Sequence, residues 1–404
     1  MLGMAGLGTR SVIQAAYLLI ASRWLGAEGY GLFAGSVALV ILGAPLASWG
    51  SSLLLTRYVA RDRGSSRAMW ATALVQTGVI GSLLVLCVLV VSSLLLQQRL
   101  PLFPMLLLAL SELILLPAAL AAVSQCYALE RGVASAVAVC LVPLGRTLAM
   151  LGVLACGLAA TPEHAAMAHF IGSALGLAVA IALVAGIDGL PAWHARLRLR
   201  DSIRQGTGYA VSNTAGASYQ EVDKILMLQI LGAAVVGPYT VAFRIASMFL
   251  MPVTALISAS LPRLLARAGS DDGARTFRAL LISGLCYGVL AGVGILVVAP
   301  WVPRVFGSEY AHATFYLGLL SPWPALFALR HCLATHLTAH HRQTMRCYVE
   351  IAGLGVVVLL NLVFLPRIGG VAAVLALLVS EVLVALVMGL LIRHGYQSES
   401  NQAK

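Results

Sequence analysis

Long apolar stretches alternate with short polar connections along the whole chain, and twelve of them can be marked. They run approximately Leu2–Ser22, Gly31–Thr56, Ala68–Leu96, Leu102–Leu129, Val133–Ala160, Ala165–Ile187, Ile203–Leu231, Val235–Leu261, Ala279–Val302, Thr314–Thr338, Cys347–Leu365 and Gly369–Ile392. A helix of about 20 mostly apolar residues crosses the hydrocarbon of a bilayer. Lipid offers no partner to backbone N–H and C=O groups, so runs of this length predict helices. The pattern therefore predicts an all-α integral membrane protein with twelve transmembrane helices. The first stretch contains Arg10 and continues past Tyr17 to Ile20 without a convincing cleavage site, so it reads as a membrane helix and not as a signal peptide.

The connections carry a topology signal, because Lys and Arg gather on the cytoplasmic side of a membrane protein. After the even-numbered stretches come Arg57, Arg61, Arg63 and Arg67, then Arg131, then Arg196, Arg198, Arg200 and Arg204, then Arg263, Arg267, Arg275 and Arg278, then Arg342 and Arg346, and last Arg393 and Lys404. After the odd-numbered stretches come only Arg23, Arg99, Arg304 and Arg367. Both termini are expected in the cytoplasm, and the multi-pass chain in a bacterial cytoplasmic (inner) membrane.

The pattern also repeats. An offset of 206 residues, Gly26 onto Gly232, aligns Leu25, Ala27 and Gly31 with Leu231, Ala233 and Gly237 without a gap. The same register pairs Phe33 with Tyr239, Arg57 with Arg263, Arg61 with Arg267 and Gln14 with Gln220. Two pseudo-symmetric six-helix lobes are expected, a parallel repeat because six is even. The N-terminal lobe is expected in residues 1–190, a basic cytoplasmic linker in 191–204 and the C-terminal lobe in 205–404.

Composition supports the membrane reading and removes others. Hydrophobic residues make up 60% of the 404 positions and charged residues 10%, with a mean hydropathy of +0.94. Soluble domains carry about a quarter of their residues as charges. The net charge of +11 would suit nucleic acid, but its placement in short connections makes it an orientation signal, and no nucleic acid partner is expected. Cys87, Cys126, Cys140, Cys156, Cys286, Cys332 and Cys347 lie in or at the ends of apolar runs without CxxC spacing, and read as packing residues. His331, His336, His340 and His341 lack a nearby acid or thiol to complete a metal site, so they read as a solvated face near the headgroups. No phosphate-binding GxxxxGK[ST], dinucleotide, HExxH or GxSxG element occurs, so an ATP-driven pump within the chain is excluded. The chain is not expected to be an enzyme.

Charged groups within the apolar stretches mark function by default, since each costs about 2.5–3.5 kcal/mol to place at mid-bilayer. The basic ones are Arg10, Arg146, Lys224, Arg244 and Arg330; the acidic ones are Glu112, Glu221, Asp223, Glu350 and Glu381. Arg10, Gln14 and Tyr17 share one face of helix 1 at i, i+4, i+7 spacing, and Tyr209, Asn213, Gln220 and Lys224 share one face of helix 7. Helix 8 adds Thr240, Arg244 and Ser247. Such stripes must face protein or water, and a shared central cavity is the expectation. The substrate-binding candidates are Arg10, Gln14, Tyr17, Arg146, Asn213, Gln220, Asp223, Lys224, Arg244 and Arg330. For Glu221, Asp223 and Lys224 a local ion pair is the equal alternative. Arg146 and Arg330 stand between the two readings, while Glu112, Glu350 and Glu381 read as structural. The GxxxG spacings at Gly31–Gly35, Gly172–Gly176 and Gly284–Gly288 predict close helix packing.

RWLGAEGYGLF at Arg23–Phe33 resembles the start of bacterial oligosaccharide flippases, the Wzx-like polysaccharide exporters, in the superfamily shared with the multidrug and toxin extrusion (MATE) transporters. Val222–Arg263, FGSEY at Phe306–Tyr310 and Leu360–Glu381 resemble further blocks of that family. The resemblance implies a MATE-like pair of lobes around a cavity that opens alternately to either side. It implies a polyprenyl-pyrophosphate-linked oligosaccharide as cargo, moved outward for polysaccharide biosynthesis, with Arg10 and Arg244 at the positions that hold the pyrophosphate. Arginine suits that task because its fork of donors matches phosphate oxygens. The chain stops soon after helix 12, whereas relatives that carry peptidoglycan precursor have two more helices, which turns the expectation toward other polysaccharides. Membrane lipids and polysaccharide polymerase or export proteins are the expected partners. No cofactor is expected, with a coupling proton or sodium ion left open beside the membrane potential.

Two other functions compete. A cation-coupled multidrug exporter needs an acidic site, whereas the polar faces of helices 1 and 8 are basic. A membrane polymerase or glycosyltransferase commonly keeps a long outward loop or an acidic catalytic motif, and the chain has neither.

Overall fold

The computed structural model of the chain describes residues 2–95, 100–194, 198–267, 269–340 and 342–402. Arg99, Arg196, His341 and Lys404 lie outside the described residues. Helix α1 covers Leu2–Ile41, followed by α2 (Ala44–Ser48) and α3 (Ser51–Arg61), which together account for the first two apolar stretches. Next come α4 (Ser66–Leu95), α5 (Leu102–Leu110) continuing through a π-helical turn at Ser111–Leu115 into α6 (Leu116–Ala128), α7 (Gly132–Ala155), α8 (Pro162–Asp188) and α9 (Leu199–Leu231). The remainder holds α10 (Ala233–Met248), α11 (Met251–Ala266), α12 (Asp271–Val298), α13 (Val302–Phe306), α14 (Ala311–Leu319), α15 (Trp323–Ala339), α16 (Gln343–Ile368) and α17 (Val371–Gln402).

Among the described residues nine helical segments are long and apolar enough to cross a membrane on length and composition. The difference from twelve has three local causes. Residues 8–61 count once although two predicted stretches meet inside them at Gly26. Helix α9 is long but carries too many polar residues, and the tenth stretch is split into α14 and α15 at Ser321–Pro322. Each of the twelve predicted stretches is mostly helical over its described residues.

The repeat is visible in the backbone. Gly26 has φ 70° and ψ 176°, and its repeat mate Gly232 has φ 83° and ψ 171°. This region of backbone space is essentially confined to glycine, so each lets one helical segment end and the next begin with a single residue between them. A second break follows in both copies, between Ile41 and Ala44 and between Met248 and Met251, one residue off the same register.

By contacts the chain forms two compact units, Met1–Gly237 and Pro238–Lys404. In the first unit α1 packs along α7, α7 along α8, and α9 against α1, α2 and α3. The packing of α7 on α8 depends on small residues: a Cβ on Gly145 would strike the Gly172 carbonyl, and one on Gly176 would lie 2.6 Å from Val142 Cα. Leu55, Val59, Trp70, Ala122, Cys126 and Val184 are buried together at one end of this unit. In the second unit α12 lies along α15, and α17 contacts both α15 and α16. Gly288 of α12 faces Ala325 Cα, where a Cβ would come within 2.5 Å.

The outer faces are apolar. On α4, Val79, Leu83, Leu86, Val90 and Leu94 are all exposed, a stripe with helical spacing that a bilayer covers. On α17, Leu375, Val379, Leu383, Leu386 and Leu390 do the same, while Ser380 and Glu381 on the other side are fully buried. Apolar outside and polar inside is the arrangement of a multi-pass membrane protein.

Candidate functional site

In the first unit four helices bring ionisable groups together. Pro117 has no N–H to give the Leu113 carbonyl and its ring crowds that carbonyl, which accounts for the π-helical turn at Ser111–Leu115. Gly81 of α4 leaves room there, since a Cβ would sit 2.5 Å from the Leu113 oxygen. The turn carries Glu112, whose side chain is 2% exposed. Single π-turns inside α-helices are frequent at functional sites.

Two side chains share one oxygen of that carboxylate. Arg146 Nη1 of α7 lies 2.9 Å from Glu112 Oε1, and His169 Nε2 of α8 lies 2.7 Å from the same oxygen. The close approach of α7 and α8 places Arg146 here and lets its Nε donate to Ser173 Oγ at 2.8 Å. Ser173 in turn donates to the His169 carbonyl. His169 Nδ1 pairs with the Tyr17 hydroxyl of α1 at 2.8 Å, and Phe33 closes the site edge-on, 5.7 Å from the imidazole. Arg146 Nη2 is buried and has no hydrogen-bond partner among the described residues.

Arg10 stands four residues beyond Gly6, where α1 meets α7: a Cβ on Gly6 would lie 2.8 Å from Ala136, and Cys140 Sγ donates to the Gly6 carbonyl at 3.5 Å. It is half-buried, lies within electrostatic reach of Arg146 and Glu112, and forms no ion pair among the described residues. Two guanidinium groups thus face one carboxylate.

On α9 the candidates divide. Asn213 and Gln220 are exposed. Lys224 is fully buried, with Nζ 3.1 Å from Asp223 Oδ1 and 3.5 Å from Glu221 Oε2, and it also donates to the Gln220 carbonyl. Gln14 of α1 is exposed.

The second unit holds Arg244 and Arg330. Arg244 is half-buried on α10. Arg330 Nε of α15 donates to Glu381 Oε2 of α17 at 2.5 Å, its Nη1 lies 3.9 Å from Glu350 Oε1 of α16, and Trp323 Nε1 donates to Glu381 Oε1 at 3.3 Å. Arg346 Nε completes the group at 3.0 Å from Glu350. The histidines of α15 are not a solvated face: His336 is buried against Phe277, ring centroids 4.4 Å apart, and His331 stacks on Phe327 at 3.7 Å.

Of the sequence candidates, the first unit gathers Arg10, Tyr17 and Arg146 in one neighbourhood and keeps Asp223 and Lys224 in a separate pair. His169 was missed. Its signal was present, a histidine in the middle of an apolar stretch with Ser173 one turn along, but without the fold nothing connects it to Glu112.

Three comparisons place these features. Residues 2–266 match the family model described as polysaccharide biosynthesis protein. No curated protein matches the chain. Among solved structures, the chain is similar to a multidrug resistance MATE family transporter of the MOP superfamily in its inward-facing conformation, with 15% identity, all of both chains covered and a TM-score of 0.69. The outward-facing conformation of such a transporter gives 15% identity, 99% and 95% coverage of this and that chain, and a TM-score of 0.68. A MOP superfamily transporter from Pyrococcus furiosus, described as having a binding pocket of reverse polarity, gives 15% identity, 97% and 94% coverage, and a TM-score of 0.63.

Proposed function

We propose a transport function from one premise: this chain belongs to the polysaccharide biosynthesis protein family. It carries a polyprenyl-pyrophosphate-linked oligosaccharide from the cytoplasmic to the outer face of a bacterial cytoplasmic membrane by alternating access, using cationic groups to hold the pyrophosphate. The observation that carries this reading is the cationic excess of the first unit, where Arg10 and Arg146 face the single carboxylate of Glu112. Arg10 is half-buried with no ion pair among the described residues, so its charge is available to a visiting anion. Arg244 is the second proposed pyrophosphate ligand. Outward movement of a negative charge across an inside-negative membrane gains about 2.3 kcal/mol per charge per 100 mV, and we assign part of the driving force to it.

The fold itself is also found in drug transporters. A cationic drug requires an acid that is not already neutralised. Here Glu112, Glu350 and Glu381 each lie in an ion pair with arginine, and Glu221 and Asp223 share the one ammonium of Lys224. The Pyrococcus furiosus transporter is described as having a binding pocket of reverse polarity that suggests a different function, which supports a reading other than drug export.

The test is a reconstituted flipping assay. Proteoliposomes holding a fluorescent polyprenyl-pyrophosphate oligosaccharide in one leaflet are expected to lose it to the other only when the protein is present. No protein-dependent movement of such a lipid sinks the reading, and transport of an organic cation in the same vesicles replaces it.

A further inference from the structure

We propose that the Tyr17–His169–Glu112–Arg146 network is a proton-linked anion site, in which proton uptake at His169 favours a pyrophosphate or phosphate-ester anion on Arg146 and Arg10. The inference rests on the anionic-cargo reading above and adds to it a specific residue that ties cargo binding to pH.

The argument starts from the shared carboxylate. Glu112 Oε1 is 2.7 Å from His169 Nε2 and 2.9 Å from Arg146 Nη1. With a neutral imidazole, the negative charge of Glu112 is spent on Arg146. With an imidazolium, the same charge is divided between two cations, and the group Arg10, Arg146, His169 and Glu112 gains one positive charge. An anion is then held more strongly. By linkage, a bound anion raises the proton affinity of His169 by the same factor.

The geometry accommodates both protonation states. When neutral, His169 donates from Nε2 to Glu112 and accepts at Nδ1 from the Tyr17 hydroxyl. When a proton from water adds at Nδ1, the Tyr17 hydroxyl turns to accept it, since a phenol can do either. The groups around His169 come from four elements: α1 supplies Tyr17 and Phe33, the π-turn Glu112, α7 Arg146, and α8 itself Ser173, while α5, also packed on α8, carries no titratable side chain. The charged groups among these are Glu112 and Arg146, with Arg10 beyond.

A second observation points to a ligand. Arg146 has its Nε on Ser173 and Nη1 on Glu112, but its buried Nη2 has no hydrogen-bond partner among the described residues. A buried donor left unsatisfied is expensive, and an anion oxygen is the natural acceptor. The corresponding cluster of the second unit contains Arg330, Glu381, Glu350 and Arg346. His331 stands beside that cluster, stacked on Phe327 and paired through Nδ1 with the Phe327 carbonyl, whereas His169 bonds the cluster carboxylate itself.

The test is calorimetric titration of the purified full-length protein with farnesyl pyrophosphate at about pH 5.5 and about pH 7.5, a range into which a bound anion raises the proton affinity of His169. Two buffers of different ionisation enthalpy report proton uptake. About tenfold tighter binding at the lower pH, with a fraction of a proton taken up per anion, is expected for the wild type. His169→Gln is expected to lose that response and keep only the small one due to the ligand's own titration. Arg146→Gln is expected to weaken binding at both pH values. Inorganic pyrophosphate titrated alongside separates a free anion from a lipid-linked one, and the tighter ligand is the assigned source. Equal pH responses in wild type and His169→Gln, or a wild type that takes up no proton in either buffer, overturn the linkage while leaving the transport reading intact. The proton count uses the wild type alone and so stands even if the variant fails to fold. A wild type that binds neither ligand at either pH overturns both.

Discussion

Gly31 and Gly237, placed in register by the internal repeat, each press on the helix that carries the other: a Cβ on Gly31 would meet the Ala233 carbonyl, and one on Gly237 the Ala27 carbonyl. Ala27 and Ala233 are themselves repeat mates. The contact is therefore reciprocal, the signature of two related segments meeting about an approximate two-fold axis. Each segment reaches the crossing because Gly26 or Gly232 ends the preceding helix one residue earlier.

Gly31→Ala and Gly237→Ala are each expected to destabilise by about 1–3 kcal/mol through overpacking against backbone that has nowhere to go. Because both act on one crossing, the double variant should lose less than the two single losses added. Thermal unfolding in detergent reads this directly. Gly389→Ala is the control, since nothing lies within 4 Å of its new methyl, and it should shift stability by about 0.5 kcal/mol or less. Additive losses would mean that the reciprocal contact is not one crossing.

The second-unit cluster yields a structural prediction. Glu381 is fully buried and holds Arg330 at 2.5 Å. Removing one partner of such a pair costs about 3–5 kcal/mol, whereas replacing both by apolar residues of similar volume is often neutral. Glu381→Leu should therefore unfold at a markedly lower temperature, and Glu381→Leu with Arg330→Met should recover most of the loss and retain transport. Failure of the double variant to transport while fully folded would move Arg330 from structure to substrate binding.

The twelve helices were legible because lipid imposes one rule on every span: about 20 apolar residues with the backbone satisfied internally. The repeat was legible too, since Gly26 and Gly232 recur at one offset, but the sequence placed a connection between Ser22 and Gly31 where the structure breaks the helix at Gly26 alone. What could not be read was partnership between distant helices. Arg146 and Glu112 were both visible as charges in apolar stretches, but 34 positions separate them in the sequence and the packing of α8 on both α7 and the π-turn joins them. Lys224 lay within one helical turn of Glu221, and there the local rule at i, i+3 spacing described the pair that forms. His336 went the other way. Its place near a helix end suggested solvent, and the aromatic face of Phe277 takes it instead.

Glu112 and Arg146 should not behave like Glu381 and Arg330. Glu112→Leu leaves Arg146 buried without its counter-ion and should lower stability by about 3–5 kcal/mol. Adding Arg146→Met should restore the unfolding temperature, as in the second unit. Transport should not return, because the donor fork aimed at the cargo is gone. Recovery of both properties together would reduce this cluster to a structural pair.

The sharpest prediction concerns Arg10. It forms no ion pair among the described residues and is only half-buried, so removing its charge strands no carboxylate. Arg10→Gln should therefore leave the stability within about 0.5 kcal/mol of wild type. Hydrogen bonds to charged groups are worth about 1.5–3 kcal/mol, so the loss of one such contact to pyrophosphate should slow flipping by roughly 10- to 100-fold. Arg10→Lys keeps the charge and loses the planar fork, and should fall between the two. A graded loss across arginine, lysine and glutamine at constant stability identifies a guanidinium that binds cargo. Unimpaired flipping by folded Arg10→Gln would show that the charge on helix α1 serves something other than the anion.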